Sequence, residues 1–173
     1  MGRVTILTGS RGVGKTTVCW NTIALARAQG ATCGGIVTGR RDGGREVHDV
    51  RTGEVRRLTR QPDGVPAVVQ GRFRFDPDTL RWASRALARS VPCDLLVIDE
   101  IGPLELERGE GWTVAFDVLR GGAFGLAVVV VRPELVARAQ LRLPGSNPRV
   151  VRTTPESRDE LPATLTEMLT LDA

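Results

Sequence analysis

"RVTILTGSRGVGKTT" (residues 3–17) decides how the chain is read. Residues 3–8 are a short, mostly apolar run that reads as a buried strand. A glycine-rich loop follows. Beyond it, from about Lys15 to Gln29, Cys19, Ile23 and Ala26 fall on one helical face, and Gly30 is placed to stop the helix. The loop, Gly9 to Thr16, fits G-x-x-x-x-G-K-[ST] in the strand–loop–helix setting that a phosphate-binding loop requires. In such a loop the backbone N–H groups curl around phosphate oxygens, and the helix N-terminus adds partial positive charge. Lys15 is the only lysine among 24 basic residues. An ammonium is a compact point charge on a flexible stem, whereas a guanidinium is a wide planar fork. A chain that uses arginine for every other cation keeps lysine where a narrow loop must be threaded to reach the β- and γ-phosphates.

The rest of the chain extends this pattern. "CGGIVTGR" (33–40) reads as the next strand, "REVHDV" (45–50) as its hairpin partner across the turn "RDGG", and "VRRLT" (55–59) as a third strand after the turn "RTGE". "AVVQGRFRF" (67–75) is extended with a bend at Gly71. Asp76-Pro77 opens a helix carrying Leu80, Ala83 and Leu87 on one face. "DLLVID" (94–99) is a short apolar strand ending in acid; Trp112, Ala115, Phe116 and Leu119 define another amphipathic helix, closed by Gly121-Gly122. "GLAVVVV" (125–131) is a strand buried on both faces. Pro133 starts a helix, "RVVRT" (149–153) is the last strand, and Thr154-Pro155 caps a final helix that turns Leu161, Leu165, Met168 and Leu169 inward. Alternation of strands and helices implies an α/β fold with a mainly parallel sheet covered on both faces. The expected organisation is one domain over 1–173 with a β-meander insertion at about 33–75.

Composition excludes several classes. At 173 residues the chain can bury a real core, and no apolar run approaches the ~20 residues that a bilayer span needs. The N-terminus reads as a strand and not as a signal peptide. Cys19, Cys33 and Cys93 are far apart and odd in number, which fits neither a metal site nor a disulfide framework and points to a reduced, cytoplasmic setting. The net charge of +4 raises the question of nucleic acid, but the arginines are scattered among 20 acids and aromatics make up only 4%. Polyanionic phosphates are the better match, with nucleic acid a secondary reading and no membrane partner. A monomer is expected.

The second signal is "LLVIDE" (95–100). Beside a phosphate loop, an acid at the end of a neighbouring strand holds the water shell of Mg²⁺, and Asp99 has that place; Thr16 puts its hydroxyl on the same ion. Glu100, next in sequence, is suited to take a proton from water attacking the γ-phosphate. Arg132 follows the strand 125–131, at the sheet edge where ligands bind, and is a candidate to stabilise charge on the transferring group. Within the loop, Ser10, Gly12, Val13 and Gly14 belong to the phosphate cradle; Arg11 either touches phosphate or points into water, and Thr17 supports the helix start or the α-phosphate, or simply packs in the helix. His48 reads as a hairpin side chain. Trp20, Trp82 and Trp112 read as packing. Glu105 and Glu107 read as loop acids close to the site.

Four stretches, "GSRGVGKTT", "GGIVTGRRDGG", "VIDEIGPLEL" and "ESRDELP", occur in this order and span about residues 1–165. Together they resemble the small nucleoside-triphosphatases first described from thermophiles, relatives of the human cancer-related nucleoside triphosphatase. "DEIGPLEL" is the distinctive part. The resemblance implies a RecA-like fold with added antiparallel strands. It also implies Mg²⁺-dependent hydrolysis of ATP, GTP, CTP and UTP to diphosphate and phosphate, with weak base selectivity. It carries nucleotide binding onto Gly9–Thr16 and onto Asp99, Glu100, Ile101, Gly102 and Glu105. Relatives often have Asn where this chain has Ser157, and they vary after the "VVVV" strand, where Arg132 lies.

Two other classes share the phosphate loop: a small nucleotide or nucleoside kinase, and a nucleotide-dependent binding module acting on RNA or a protein partner. No arginine-rich lid segment is evident, and Glu100 favours water as acceptor.

Overall fold

The computed structural model describes residues 2–59, 66–71, 73–143 and 148–170. Its centre is a seven-stranded sheet ordered β4-β3-β2-β7-β8-β1-β9. The strands are β1 (Arg3–Thr8), β2 (Cys33–Arg41), β3 (Gly44–Asp49), β4 (Val55–Arg57), β7 (Cys93–Ile101), β8 (Phe124–Val131) and β9 (Arg149–Arg152). β5 (Val68–Gln70) and β6 (Phe73–Phe75) pair with each other in a small antiparallel sheet, and Phe75 also bridges Thr59. The helices are α1 (Lys15–Ala28), α2 (Pro77–Ala88), α3 (Val114–Gly121), α4 (Val136–Arg142) and α5 (Leu161–Thr170).

The five strands β2, β7, β8, β1 and β9 are parallel, and β3 and β4 extend the sheet antiparallel from β2. The stretch read as one meander over 33–75 is therefore divided. β2 is a core strand paired with β7, only β3 and β4 are the antiparallel extension, and β5 and β6 form a hairpin of their own, bridged to the end of the extension at Thr59–Phe75. Gly71 is the turn of that hairpin rather than a bend in one extended segment.

Alternation along the strands fills two apolar layers. Ile6, Ile36, Leu96, Ile98, Ala127 and Val129 pack towards α2 and α3, while Leu7, Val37, Leu95, Val97, Val128 and Val130 pack towards α1 and α5. β8 lies inside the sheet, between β7 and β1, with a buried residue at nearly every position, which is why it carries an unbroken valine run. Asp76 caps α2 by accepting the Asp78 N–H at 2.9 Å, with Pro77 in the first turn, as its sequence implies.

Two boundaries differ from the sequence reading. α5 begins at Leu161, after a run of turns from Pro155 to Glu160 held by Thr154 and Ser157, so Thr154-Pro155 does not cap it. The hydroxyls of Thr154 and Ser157 satisfy each other's backbone N–H groups instead and close a local turn. β7 runs on through Asp99 and Glu100 to Ile101, with a break in its pairing with β8 between Ile98 and Ile101. Parallel pairing brings the carboxyl ends of β1, β8, β7 and β2 to one edge of the sheet, where ligand sites of such sheets lie.

Candidate active site

The loop between β1 and α1 is shaped by its glycines. Gly9 has φ +149°, and a Cβ there would meet the Thr153 carbonyl oxygen at 2.6 Å. Gly14 has φ +107° and stands immediately before α1. Lys15 folds back across the loop, its Nζ donating to the carbonyls of Gly9 at 2.7 Å and Ser10 at 2.9 Å. Both bonds come from one nitrogen, a compact ammonium seated inside the loop where the wide plane of a guanidinium would not fit.

From the first turn of α1, Thr16 Oγ1 donates to Asp99 Oδ2 at 2.8 Å. Residues 83 apart in sequence are thus joined across the gap between β1 and β7, which β8 separates. Asp99 is 2% exposed. Burial pushes its carboxyl up to about 6, and the nearby Glu100 charge adds to this, while the Thr16 hydrogen bond pulls the other way. Glu100 is half-buried and accepts from Arg132 Nε at 2.6 Å. Arg132 leaves the end of β8 in extended conformation just before a 3-10 turn at Pro133–Leu135.

The oxygen set around Thr16 and Asp99 fits Mg²⁺. Such an ion is held by one or two protein oxygens together with substrate phosphates, and it does not need an all-protein cage. Among the described residues no group of three or more His, Cys, Asp or Glu is arranged to hold a metal. A buried carboxylate whose charge is opposed by burial, with one hydroxyl beside it, is the arrangement a divalent ion would complete.

Glu105 lies in a π-helical turn (Leu104–Arg108) and is 4% exposed. Its Oε2 accepts the Gly102 N–H at 2.9 Å and its Oε1 accepts the Trp112 N–H at 3.0 Å. Burial raises its carboxyl, offset in part by these two amides. Both oxygens are committed to backbone, so the side chain clamps the 102–112 loop from within rather than reaching for a ligand. Glu107, by contrast, is exposed and pairs with Arg138.

One cleft of about 910 Å³ gathers most of the sequence candidates: Gly9, Arg11, Gly12, Gly14, Lys15, Thr16, Asp99, Glu100, Gly102, Glu105 and Arg132 all border it. The side chains of Ser10, Val13, Thr17 and Ile101 do not. Ser10 contributes its carbonyl to Lys15, Thr17 is exposed, and Ile101 is buried in the apolar core. His48 stays in the β3 hairpin, bonded to Glu46 and edge-on to Trp20. The cleft also has a flank that sequence reasoning missed, formed by Arg40 and Arg45 with Leu58, Phe73, Phe75 and Trp112. Arg40 lies in the stretch "GGIVTGRRDGG", but no motif marks the others, and only the folded chain brings them to this edge of the sheet. Trp112, read as packing, is buried and borders the cleft as well.

A family model described as NTPase matches residues 4–166. The chain belongs to this family. It is 35% identical over 167 residues to the nucleoside-triphosphatase THEP1 of Methanopyrus kandleri, an alignment that covers 90% of this chain and 89% of that protein. A second THEP1, from Pyrobaculum islandicum, is 36% identical over 105 residues, covering 58% of this chain and 59% of that protein. The fold superimposes on the solution structure of a human cancer-related nucleoside triphosphatase with a TM-score of 0.76 over 99% of this chain and 100% of that one, at 23% identity. The fold class read from the sequence, a mainly parallel α/β phosphate-loop sheet with added antiparallel strands, is the one found. No helix among the described residues is long and apolar enough to cross a membrane.

Proposed function

We propose that the protein hydrolyses nucleoside triphosphates to diphosphate and phosphate, with Mg²⁺ and with weak preference among bases. The observation that carries this is the Thr16–Asp99 hydrogen bond at 2.8 Å, because it sets the two oxygens suited to Mg²⁺ side by side at the mouth of the phosphate loop. Mg²⁺, when bound, neutralises charge on the β- and γ-phosphates. Lys15 exchanges the Gly9 and Ser10 carbonyls for phosphate oxygens. Glu100 accepts a proton from the attacking water as its oxygen bonds to the γ-phosphorus; the bond to the bridging oxygen breaks and the diphosphate leaves. Such a base contributes ~10²–10⁴-fold in rate. Arg132 fixes the carboxylate of Glu100 and brings positive charge to the same cleft.

Weak base selectivity follows from what these groups read. Strong discrimination needs polar groups left unpaired by the wrong base. The loop, Asp99 and Glu100 address only phosphates and metal. Steady-state phosphate release from ATP, GTP, CTP and UTP, with Mg²⁺ and without any acceptor, tests the reading. Specificity constants within ~10-fold of one another, about 1.4 kcal/mol, are expected. A hundredfold preference for one nucleotide would show a base pocket and contradict the selectivity claim; no release with any of them would contradict hydrolysis itself.

A further inference from the structure

The cleft is larger than its phosphate end requires. At about 910 Å³ it is near the upper end of the ~300–1,000 Å³ usual for small-molecule sites. Its second lobe lies over β2 and β3, on the opposite side of β7 from the phosphate loop. Three of the chain's seven aromatic residues, Phe73, Phe75 and Trp112, border this lobe, with Leu58 beside them. Phe73 and Phe75 lie with their rings nearly parallel, 6.1 Å between centroids. The Arg45 guanidinium stands 5.1 Å from the Phe73 ring centre and is half-buried, and Arg40 borders the same lobe. Among the described residues neither arginine forms an ion pair. Burial lowers the tendency of Arg45 to hold its proton, and its charge is felt by Glu100 and Asp99. Trp112 is buried at 5% exposure, and its indole N–H has no acceptor among the described residues. Two cations with no ion pair among the described residues, stacked rings and a buried donor without an acceptor among them are what an aromatic anion would satisfy.

Position gives the lobe a meaning, and here the inference rests on the proposed hydrolysis. A triphosphate on the loop runs from its α-phosphate at the backbone cradle to its γ-phosphate at Lys15, Thr16 and Asp99. Glu100 stands beyond the γ-phosphate, and the lobe lies beyond Glu100. The attacking oxygen must approach in line, opposite the leaving diphosphate. The lobe is therefore on the attacking side, away from the nucleoside of the triphosphate. We propose that it is a second-ligand site for a planar aromatic anion of the nucleoside monophosphate class, whose ring packs at Phe73 and whose phosphate is held by Arg40 and Arg45, in the path otherwise taken by water.

The experiment loads the protein with a non-hydrolysable triphosphate analogue and Mg²⁺, then titrates each of the four nucleoside 5′-monophosphates by calorimetry. One monophosphate is expected to bind the loaded protein with a stoichiometry of one. Arg45→Met and Phe73→Ala are each expected to weaken that binding by at least ~10-fold while leaving analogue affinity within ~3-fold, which also shows that the variants fold. In turnover, the monophosphate should lower phosphate release non-competitively towards the triphosphate; transfer of labelled γ-phosphate onto it would place it on the attacking side equally well. Displacement of the monophosphate by the analogue, absence of binding to the loaded protein, or equal loss of analogue affinity in both variants would overturn the proposal, the last by placing the triphosphate's own base in the lobe. Failure of the analogue to bind wild-type protein would instead count against the proposed hydrolysis site.

Discussion

Lys15 makes two hydrogen bonds from one nitrogen inside its own loop, to Gly9 and Ser10. Arginine at this position keeps the charge but brings a planar fork into a space that closes around a single atom. Lys15→Arg is therefore expected to lose phosphate release nearly as fully as Lys15→Ala. A variant retaining more than half the wild-type rate would refute the steric explanation for the lone lysine. Asp99 makes a different point, about stability traded for function. Its carboxyl is raised from 3.8 to about 6, so the folded state binds its proton more tightly than the unfolded state does. Stability from this group is complete below about pH 4 and is lost as pH rises through about 6, up to about 3 kcal/mol in all. Asparagine removes the charge. Without Mg²⁺, Asp99→Asn should melt higher than wild type at pH 8, with the difference shrinking towards pH 4, and it should gain nothing from Mg²⁺ with nucleotide. A variant that melts lower than wild type at pH 8 would show that the carboxylate is not opposed by its surroundings.

At the scale of elements, the loop 102–112 is organised around a buried acid. Glu105 satisfies two backbone amides that would otherwise be buried without acceptors. Glu105→Ala should destabilise the protein by about 1–3 kcal/mol, read as a fall in denaturant midpoint at unchanged slope. It should also raise KM more than it lowers kcat, because Gly102 and Trp112 border the cleft without touching the reacting atoms. An unchanged midpoint would mean the amides find other partners. The phosphate loop and the Asp99–Glu100 pair were legible in the sequence because their residues are contiguous and sit in a recognisable strand–loop–helix or strand-end setting. Glu105 was legible as an acid near the site, with nucleotide binding carried onto it by the resemblance, but its clamp on the 102–112 backbone depends on a π-helical turn that folds it inward, and Glu107, two residues on, points outward to Arg138. The start of α5 at Leu161 differs from the sequence reading for a similar reason. Thr154-Pro155 has the look of a helix cap, but the Thr154 hydroxyl accepts the Ser157 N–H and closes a local turn instead.

At the scale of the molecule, the sheet order explains what periodicity could not. Strands alternating with helices announce a parallel sheet, yet nothing in the local pattern says that β8 lies between β1 and β7 or that β2 continues the sheet beyond β7. That order sets Lys15, Arg132 and Glu100 in sequence along one edge, and it brings together Glu100 and Arg132, 32 residues apart, at 2.6 Å. The arginines and aromatic residues of the second lobe come from two hairpins and the loop before α3, with no shared motif, so they come together only once the chain is folded. The central claim is that this edge carries out base-assisted hydrolysis of a triphosphate held by the loop. Its most direct test measures Glu100→Gln twice on the same preparation: the Kd for a nucleoside triphosphate with Mg²⁺, and kcat for phosphate release. The account predicts an unchanged Kd and a kcat lower by at least ~10²-fold, about 2.7 kcal/mol of barrier. A variant that turns over at the wild-type rate, or one that loses binding as much as turnover, would contradict it.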